Sequence, residues 1–195
     1  MPDETGNTES NGEGSADTET PEAPKAPPGM DLRNLVDAEY PDAILEQTAY
    51  KDREDEVTFV LKADYLVRVC EFLRNHPASS FKILTDLTAA HYPEDVEPFQ
   101  VIYQLISIDH SRLLRLKVKV KDGQEVPTVT DVWSSANWME REVYDLFGIS
   151  FTDHPDLRRI LLPDNWGSHP LRKDYPLEGL GERVYSKPTR KELGE

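Results

Sequence analysis

The sequence predicts an α+β fold with two layers, in which helices and strands come in runs rather than in strict alternation. Three observations support this. Two strand-like segments are followed, after a helix, by three more, and apolar residues at helical spacing mark three separate helices. The segment 99–108 is apolar at nearly every position, as expected for a central strand covered on both faces. The predicted architecture is helix, two strands, helix, three strands of a mixed sheet, a C-terminal helix and an extended arm.

Each element has its own local signal. Asp31 can cap the first helix and Pro41 ends it, and a charged turn at 51–55 joins two strands as a hairpin. Cys70 lies on the apolar stripe of the second helix, where an inert core thiol is expected. Gly148 marks the end of the last helix. In chain order the predicted elements are helix 31–40, strands 43–50 and 57–61, helix 63–74, strands 81–90, 99–108 and 113–120, and helix 131–147.

The strand 113–120 carries a charged stripe. Four apolar residues alternate with basic ones, so one face enters the core and the other presents positive charge. Two interpretations remain open: an edge strand that lysines protect from aggregation, or a surface for an acidic neighbour. The basic residues are Arg115, Lys117, Lys119 and Lys121.

Composition divides the chain into three parts and excludes several classes of function. Residues 1–29 hold seven acidic residues against one lysine and almost no large apolar side chain, which predicts a disordered acidic tail. Residues 30–153 form the predicted α+β domain. Residues 154–195 are rich in proline yet apolar, which predicts an extended arm packed on its own domain or on a partner.

The net charge of −15 over 195 residues argues against nucleic acid and anionic lipid as direct partners. No apolar stretch is long enough to span a membrane. One cysteine excludes an intrachain disulfide, and the chain cannot by itself hold an iron–sulfur cluster on cysteine ligands.

The densest polar cluster lies in the last predicted helix. Arg141 and Asp145 are four residues apart and can form an ion pair, which favours a solvated helical face. The aromatic residues interleaved with these charges favour a protein–protein interface instead. They are Trp133, Trp138, Tyr144 and Phe147.

Catalytic and metal-binding patterns are weak. The run Gly179-Leu-Gly181 lacks the third glycine of a dinucleotide fingerprint and the strand and helix that should flank it. His154, Asp156 and His169 do not follow a compact metal-ligand spacing. No signature of a nucleophile beside a base is present in the sequence.

Three blocks together resemble the family of the C subunit of NADH:quinone oxidoreductase, respiratory complex I. The central block is Glu140-Arg-Glu-Val-Tyr-Asp-Leu-Phe-Gly148, followed by His154 and then by Arg158-Arg-Ile-Leu161. The flanking blocks are Pro127-Thr-Val-Thr-Asp-Val-Trp133 and His169-Pro-Leu-Arg-Lys-Asp-Tyr-Pro-Leu177. The resemblance covers roughly residues 30–180.

The resemblance implies a non-catalytic structural subunit of the hydrophilic part of the complex, peripheral to the cytoplasmic side of the bacterial cell membrane. It implies that this chain binds no cofactor, while FMN, iron–sulfur clusters and quinone belong to partner subunits. The implied partners are the D subunit, which forms the quinone site, and the iron–sulfur subunits B and I. The implied subunit-interface residues are Trp133, Trp138, Glu140, Arg141, Glu142, Tyr144, Asp145, His154, Arg158, Arg159, Trp166, His169, Arg172, Lys173, Asp174 and Tyr175.

Two other functions stay open at this point. The same fold serves in related ferredoxin- or NAD(P)H-linked quinone reductases and in membrane hydrogenases. A stand-alone enzyme is the other alternative, with acid–base chemistry at Glu140, Glu142 and Asp145 or at the loop between His154 and His169.

Overall fold

A computed structural model describes residues 31–50 and 53–181 of the chain. The predicted acidic tail, the tip of the first hairpin at 51–52 and the end of the predicted arm lie outside the described residues. The elements are α1 (Leu32–Glu39), β1 (Ile44–Tyr50), β2 (Arg53–Leu61), a 3₁₀ turn (Ala63–Tyr65), α2 (Leu66–Asn75), β3 (Ile83–His91), β4 (Phe99–Ser107), β5 (Arg112–Val120), β6 (Val126–Pro127), α3 (Ala136–Phe147) and β7 (Phe151–Thr152). The predicted α+β class with a mixed sheet is confirmed.

The main sheet has five strands in the order β1-β2-β5-β4-β3. β2 and β5 run parallel, while the other neighbouring pairs are antiparallel. After β2 the chain forms α2, β3 and β4, and β5 then returns to the centre of the sheet, between β2 and β4. The edge-strand interpretation of β5 is wrong, because the edges are β1 and β3. Two basic side chains of β5 form ion pairs with residues of other strands of the sheet: Arg115 pairs with Glu56 of β2, and Lys119 pairs with Glu46 of β1.

The core lies between one face of this sheet and the helices. Along β4, Phe99, Val101, Tyr103 and Leu105 are buried, whereas the residues between them are half-buried. The expectation that this strand is covered on both faces is therefore wrong for the chain alone. Its apolar residues continue onto the second face, where Ile102 and Ile106 are only half-buried.

The first two helices follow their sequence signals. The Asp31 side chain accepts a hydrogen bond from the Arg33 backbone N–H at 2.9 Å and caps α1, as predicted. The second predicted helix begins as a 3₁₀ turn and becomes α-helical at Leu66. Cys70 is fully buried on the core side of α2, and burial raises the pKa of its thiol, which stays protonated. In the described part of the chain, no helix has the length and apolar character needed to cross a membrane.

α3 packs against β3 and starts later than predicted. The residues 131–135 form successive turns, in which the backbone N–H groups of Val132 and Trp133 donate to the Val129 carbonyl. Gly148 ends α3 with a φ of 74°, the left-handed conformation that glycine adopts without a Cβ clash. The short strand β6, which precedes α3, pairs in parallel with the short strand β7, which follows α3.

Candidate functional site

The residues that follow β7 run back over the C-terminal end of α3. We call residues 154–181, the described part of the predicted arm, the C-terminal arm. The last four carbonyl groups of a helix have no partner within the helix and attract donors and cations. The C-terminal arm supplies such donors to the end of α3. The Leu171 N–H donates to the Leu146 carbonyl at 3.1 Å, and the Arg172 Nε donates to the Phe147 carbonyl at 2.6 Å.

Asp145 is the centre of this attachment. Its carboxylate is fully buried, and Oδ2 accepts from the backbone N–H groups of Ile160, Leu161 and Leu162 at 3.1, 2.8 and 2.9 Å. Oδ1 accepts from Arg159 at 2.7 Å. Burial acts to raise the pKa of Asp145, but these amides and the guanidinium outweigh it and hold the pKa below the usual aspartate range. One ionised side chain thus fixes three successive residues of the C-terminal arm.

The Asp145 carbonyl also binds the C-terminal arm. The Arg159 Nη1 donates to it at 3.2 Å, and His169 Nδ1 lies 2.9 Å away and donates as well. Burial is the main cause that lowers the pKa of His169, with Arg159 and Arg172 adding to it. A Cβ on Gly148 would lie 2.6 Å from the His169 ring, so this approach requires glycine.

Arg172 fastens the far end of the C-terminal arm to the sheet. Its guanidinium bonds both carboxylate oxygens of Asp122 at 3.1 and 3.3 Å and stacks over the Phe99 ring at 4.9 Å from the centroid. The next residue, Lys173, donates its backbone N–H to His91 Nδ1 at 2.9 Å. His91 in turn stacks on Phe99 with 4.4 Å between ring centroids.

Glu140 holds the segment that enters α3. Its carboxyl is fully buried, with Oε2 2.5 Å from the Thr128 hydroxyl and Oε1 2.8 Å from the Val129 N–H. Burial raises the pKa of Glu140 to about 7, against the lowering effect of these two hydrogen bonds. The buried His154 ring lies 3.9 Å from Oε2.

The exposed edge of α3 carries a stacked pair. The Arg141 guanidinium lies over the Trp138 ring, 4.7 Å from its centroid, and its Nε donates to the Arg158 carbonyl at 3.2 Å. Trp138 is 64% exposed, whereas Arg141 is buried beneath the C-terminal arm. Asp156 pairs with Arg158 at 3.0 Å on the outside. The pair therefore presents a rigid aromatic surface beside the C-terminal arm.

Large apolar side chains point outward along the same region. Leu161 is 60% exposed although its backbone N–H is fixed by Asp145, and Leu171 and Leu177 are also exposed. The backbone N–H groups of Leu161 and Leu171 bond to Asp145 and to the Leu146 carbonyl, so these two exposed side chains are presented from fixed positions. Exposed apolar surfaces are typical of protein–protein contacts.

The structure separates the predicted site residues into groups. The solvated-face interpretation is wrong for Glu140, Arg141 and Asp145, which are buried, and the predicted pair of Arg141 with Asp145 is wrong because Asp145 binds Arg159. Trp133 and the His154 side chain are also buried inside the chain. The exposed members are Trp138, Glu142, Arg158, Lys173 and Asp174, and the half-buried ones are Tyr144, Arg159, Trp166, His169, Arg172 and Tyr175.

Two partners in this network carry no signal in the sequence. Asp122, which bonds Arg172, lies in an ordinary polar loop, and His91, which bonds the backbone of Lys173, ends a strand that is distant from the C-terminal arm in sequence. Thr128 lies in the block 127–133 that carries the family resemblance, but nothing in that block indicates that it bonds Glu140. Gly148 does stand out, as a helix stop. Its contact with His169, however, depends on the tertiary fold.

The two histidines that were candidate metal ligands bond backbone groups. His154 Nδ1 accepts from the Asp156 N–H at 3.0 Å, and His169 Nδ1 donates to the Asp145 carbonyl. Within residues 31–50 and 53–181, no group of three or more His, Cys, Asp and Glu side chains is placed to hold a metal ion.

Comparison with known proteins gives one consistent result. Residues 59–180 match the family model described as "Respiratory-chain NADH dehydrogenase, 30 Kd subunit". The C subunit of NADH-quinone oxidoreductase from Geobacter metallireducens is 49% identical over 137 residues, which cover 69% of this chain and 83% of the relative. The same subunit of a Ruegeria species is 39% identical over 166 residues, 85% of this chain and 81% of the relative.

A solved structure agrees with these relatives. The trypsin-resistant fragment (1–134) of Nqo5 superposes with a TM-score of 0.54 at 29% identity, covering 65% of this chain and 98% of the fragment. The matched family region contains β4, β5, α3 and the C-terminal arm up to residue 180, and hence the whole network around Asp145 and Glu140. The chain belongs to the 30 kDa subunit family of respiratory-chain NADH dehydrogenase, which is the C subunit family of NADH-quinone oxidoreductase.

Proposed function

We propose that this subunit of NADH-quinone oxidoreductase is structural, and that its C-terminal arm and the exposed edge of α3 form the surface on which other subunits pack. The proposed partners are the D subunit, which forms the quinone site, and the iron–sulfur subunits B and I. In this proposal FMN, the iron–sulfur clusters and quinone are held by partner subunits and none by this chain. Its proposed place is peripheral, on the cytoplasmic side of the bacterial cell membrane.

The observation that carries the proposal is the way in which the C-terminal arm is held. Its polar backbone groups bond inward to Asp145 and to the end of α3, while Leu161, Leu171 and Leu177 point outward. Preorganised apolar side chains lose less conformational entropy on binding than the side chains of a flexible segment do. A partner that covers these leucines and Trp138 would gain apolar burial without having to order the C-terminal arm.

The environment of the carboxylates supports a structural role for them. Asp145 is ionised and already accepts four hydrogen bonds through its carboxylate, which leaves little capacity for a substrate. Glu140 is fully buried under the segment entering α3. Acid–base chemistry on a substrate requires access and a free acceptor. Both side chains are instead placed to hold chain segments together.

The test is capture of the chain from solubilised native membranes, followed by assay of NADH:quinone reductase activity and identification of the proteins recovered. The double variant Leu161→Ser, Leu171→Ser should recover the partners at least tenfold less well, because each leucine loses roughly 1.5 kcal/mol of apolar burial. The matched control is Ile108→Ser, which removes a similarly exposed aliphatic side chain outside the C-terminal arm.

Wild type and the Ile108→Ser control should recover active complex, and the purified chain alone should have no reductase activity. The proposal is wrong if the purified chain reduces quinone by itself. It is also wrong if the double variant captures its partners as well as wild type does.

A further inference from the structure

The Glu140 carboxyl is buried in the chain interior, and the described residues around it provide no cation to balance an ionised form. Thr128 and Val129, from the loop before α3, hydrogen-bond to it, and His154 of the C-terminal arm lies 3.9 Å from its Oε2. The Glu140 charge also acts on Cys70 of α2 and Tyr103 of β4, which are buried in the same interior. Burial is the main cause that raises the pKa of both Cys70 and Tyr103, so neither carries charge at neutral pH, and neither ever carries a positive one.

His154 does not supply the missing charge either. Its Nδ1 accepts a hydrogen bond from the Asp156 backbone N–H at 3.0 Å, which requires that nitrogen to be unprotonated. The other nitrogen, Nε2, lies 3.2 Å from the Asn137 carbonyl and must donate to it. The ring is therefore the neutral tautomer with its proton on Nε2. A buried carboxyl group that is surrounded by neutral groups is more stable in its protonated form than in its ionised form.

A chain of hydroxyl groups leads outward from this carboxyl. Glu140 Oε2 lies 2.5 Å from Thr128 Oγ1, and Thr128 Oγ1 lies 3.0 Å from Thr130 Oγ1. Thr128 is buried, whereas Thr130 is only half-buried. The Thr130 backbone N–H donates to Thr128 Oγ1 at 3.2 Å and fixes the turn that aligns the two hydroxyls.

We propose that Glu140 is a proton-binding site of the folded chain, and that it exchanges its proton with solvent through the hydroxyls of Thr128 and Thr130. In the protonated form, the carboxyl O–H donates to Thr128 and the Thr128 hydroxyl donates to Thr130. On release, Thr130 gives its proton to water, Thr128 passes its proton to Thr130, and the Glu140 O–H bond breaks as its proton moves to Thr128. The Thr128 hydroxyl then donates back to the new carboxylate.

This site changes charge near neutral pH. A pKa of about 7 means that the folded chain binds this proton roughly 300-fold more tightly than an ordinary glutamate does. The charge appears beneath β6, which pairs with β7 at the base of the C-terminal arm. Glu140 hydrogen-bonds to Thr128 and Val129, the two residues that directly follow β6. The site itself is a property of the chain and stands independently of the proposed function.

The experiment is a ¹³C NMR titration of the side-chain carboxyl groups in the full chain labelled at glutamate, from pH 5 to pH 9. One signal, missing in Glu140→Gln, should titrate with a midpoint near 7. The proposal is overturned if the Glu140 signal has its ionised shift at pH 5.5 and does not move. Thr128→Val should raise the midpoint, because the carboxylate loses a donor, while Thr128→Ser should keep it; the response to Thr128→Val also identifies the signal independently of Glu140→Gln.

The relay is tested separately by Thr130→Val, which preserves the contact of Thr128 with Glu140. The midpoint should stay near that of wild type, but proton exchange should become slower and broaden the Glu140 signal at the midpoint. If this variant exchanges its proton as fast as wild type does, solvent reaches Glu140 by another route and the relay is wrong.

Discussion

Replacement of Gly148 by alanine tests whether the C-terminal arm is held by close packing on the end of α3. Gly148 has a φ of 74°, and a Cβ there would lie 2.6 Å from Cδ2 and Nε2 of His169 and 3.0 Å from an Arg172 nitrogen. The His169 ring cannot move away without weakening its 2.9 Å hydrogen bond to the Asp145 carbonyl. The new methyl group must therefore displace the C-terminal arm or strain the helix end.

The size of the effect follows from two contributions. An alanine with positive φ costs about 1 kcal/mol, partly offset by the lower entropy of the unfolded chain. Displacing His169 adds the loss of a hydrogen bond, about 1 kcal/mol, and overpacking of about 1–2 kcal/mol. Gly123 is the matched control, because its φ is 76° and a Cβ there would meet nothing within 4 Å.

The assay is urea denaturation of both variants followed by circular dichroism, with amide hydrogen exchange at Ile160 to Leu162 as a local readout. Gly148→Ala should lose about 2 kcal/mol more free energy of unfolding than Gly123→Ala, and only Gly148→Ala should speed exchange of those amides. Equal losses in the two variants, with unchanged exchange at 160–162, would refute the packing argument.

Three further changes probe the same network. Asp145→Asn should lower the free energy of unfolding by about 2–4 kcal/mol at pH 7, measured by urea denaturation. The pKa of Asp145 is lowered in the folded chain, so the Asp145 carboxylate stabilises wild type at neutral pH. This stabilisation is lost as the pH falls through that folded pKa. Arg172→Lys keeps the charge but loses the bonds to Asp122 and Phe147, and should cost about 1–2 kcal/mol in thermal unfolding, against less than about 0.5 kcal/mol for the exposed Lys173→Ala. The raised pKa of Glu140 predicts that its own contribution to stability, about 3 kcal/mol at pH 4.5, is lost as the pH rises to 7. In a series of urea titrations, the difference in free energy of unfolding between wild type and Glu140→Gln should change by that amount, because the opposite slope from the lowered pKa of His169 is common to both proteins.

The fold was largely predictable because its signals are local. The cap of α1, the stripe of α2 and the alternation in β5 each depend on residues next to one another in the chain. The place of β5 was not predictable in this way. Its alternation is the same at an edge and at the centre, and only the parallel pairing with β2, which lies far earlier in the chain, decides between them.

The polar network was the harder part to predict. Helical periodicity places Glu140 and Asp145 among charged residues, and charged residues usually face water. They are buried because donors from distant segments reach them: Thr128 and Val129 reach Glu140, and the backbone of residues 160–162 reaches Asp145. Those donors are common loop residues and amide groups. The family resemblance identified the block as important, but only the tertiary structure shows what each carboxylate holds.

Site-specific photo-cross-linking in native membranes tests most directly whether the C-terminal arm is the surface on which partner subunits pack. A photoreactive amino acid is placed at Leu161, at Trp138 or, as the control, at Ile108, and the cross-linked proteins are identified by mass spectrometry. Positions 161 and 138 should cross-link to the quinone-site or iron–sulfur subunits, and position 108 should do so far less. If neither position 161 nor position 138 forms cross-links, in membranes with full NADH:quinone reductase activity, the C-terminal arm is not the partner surface.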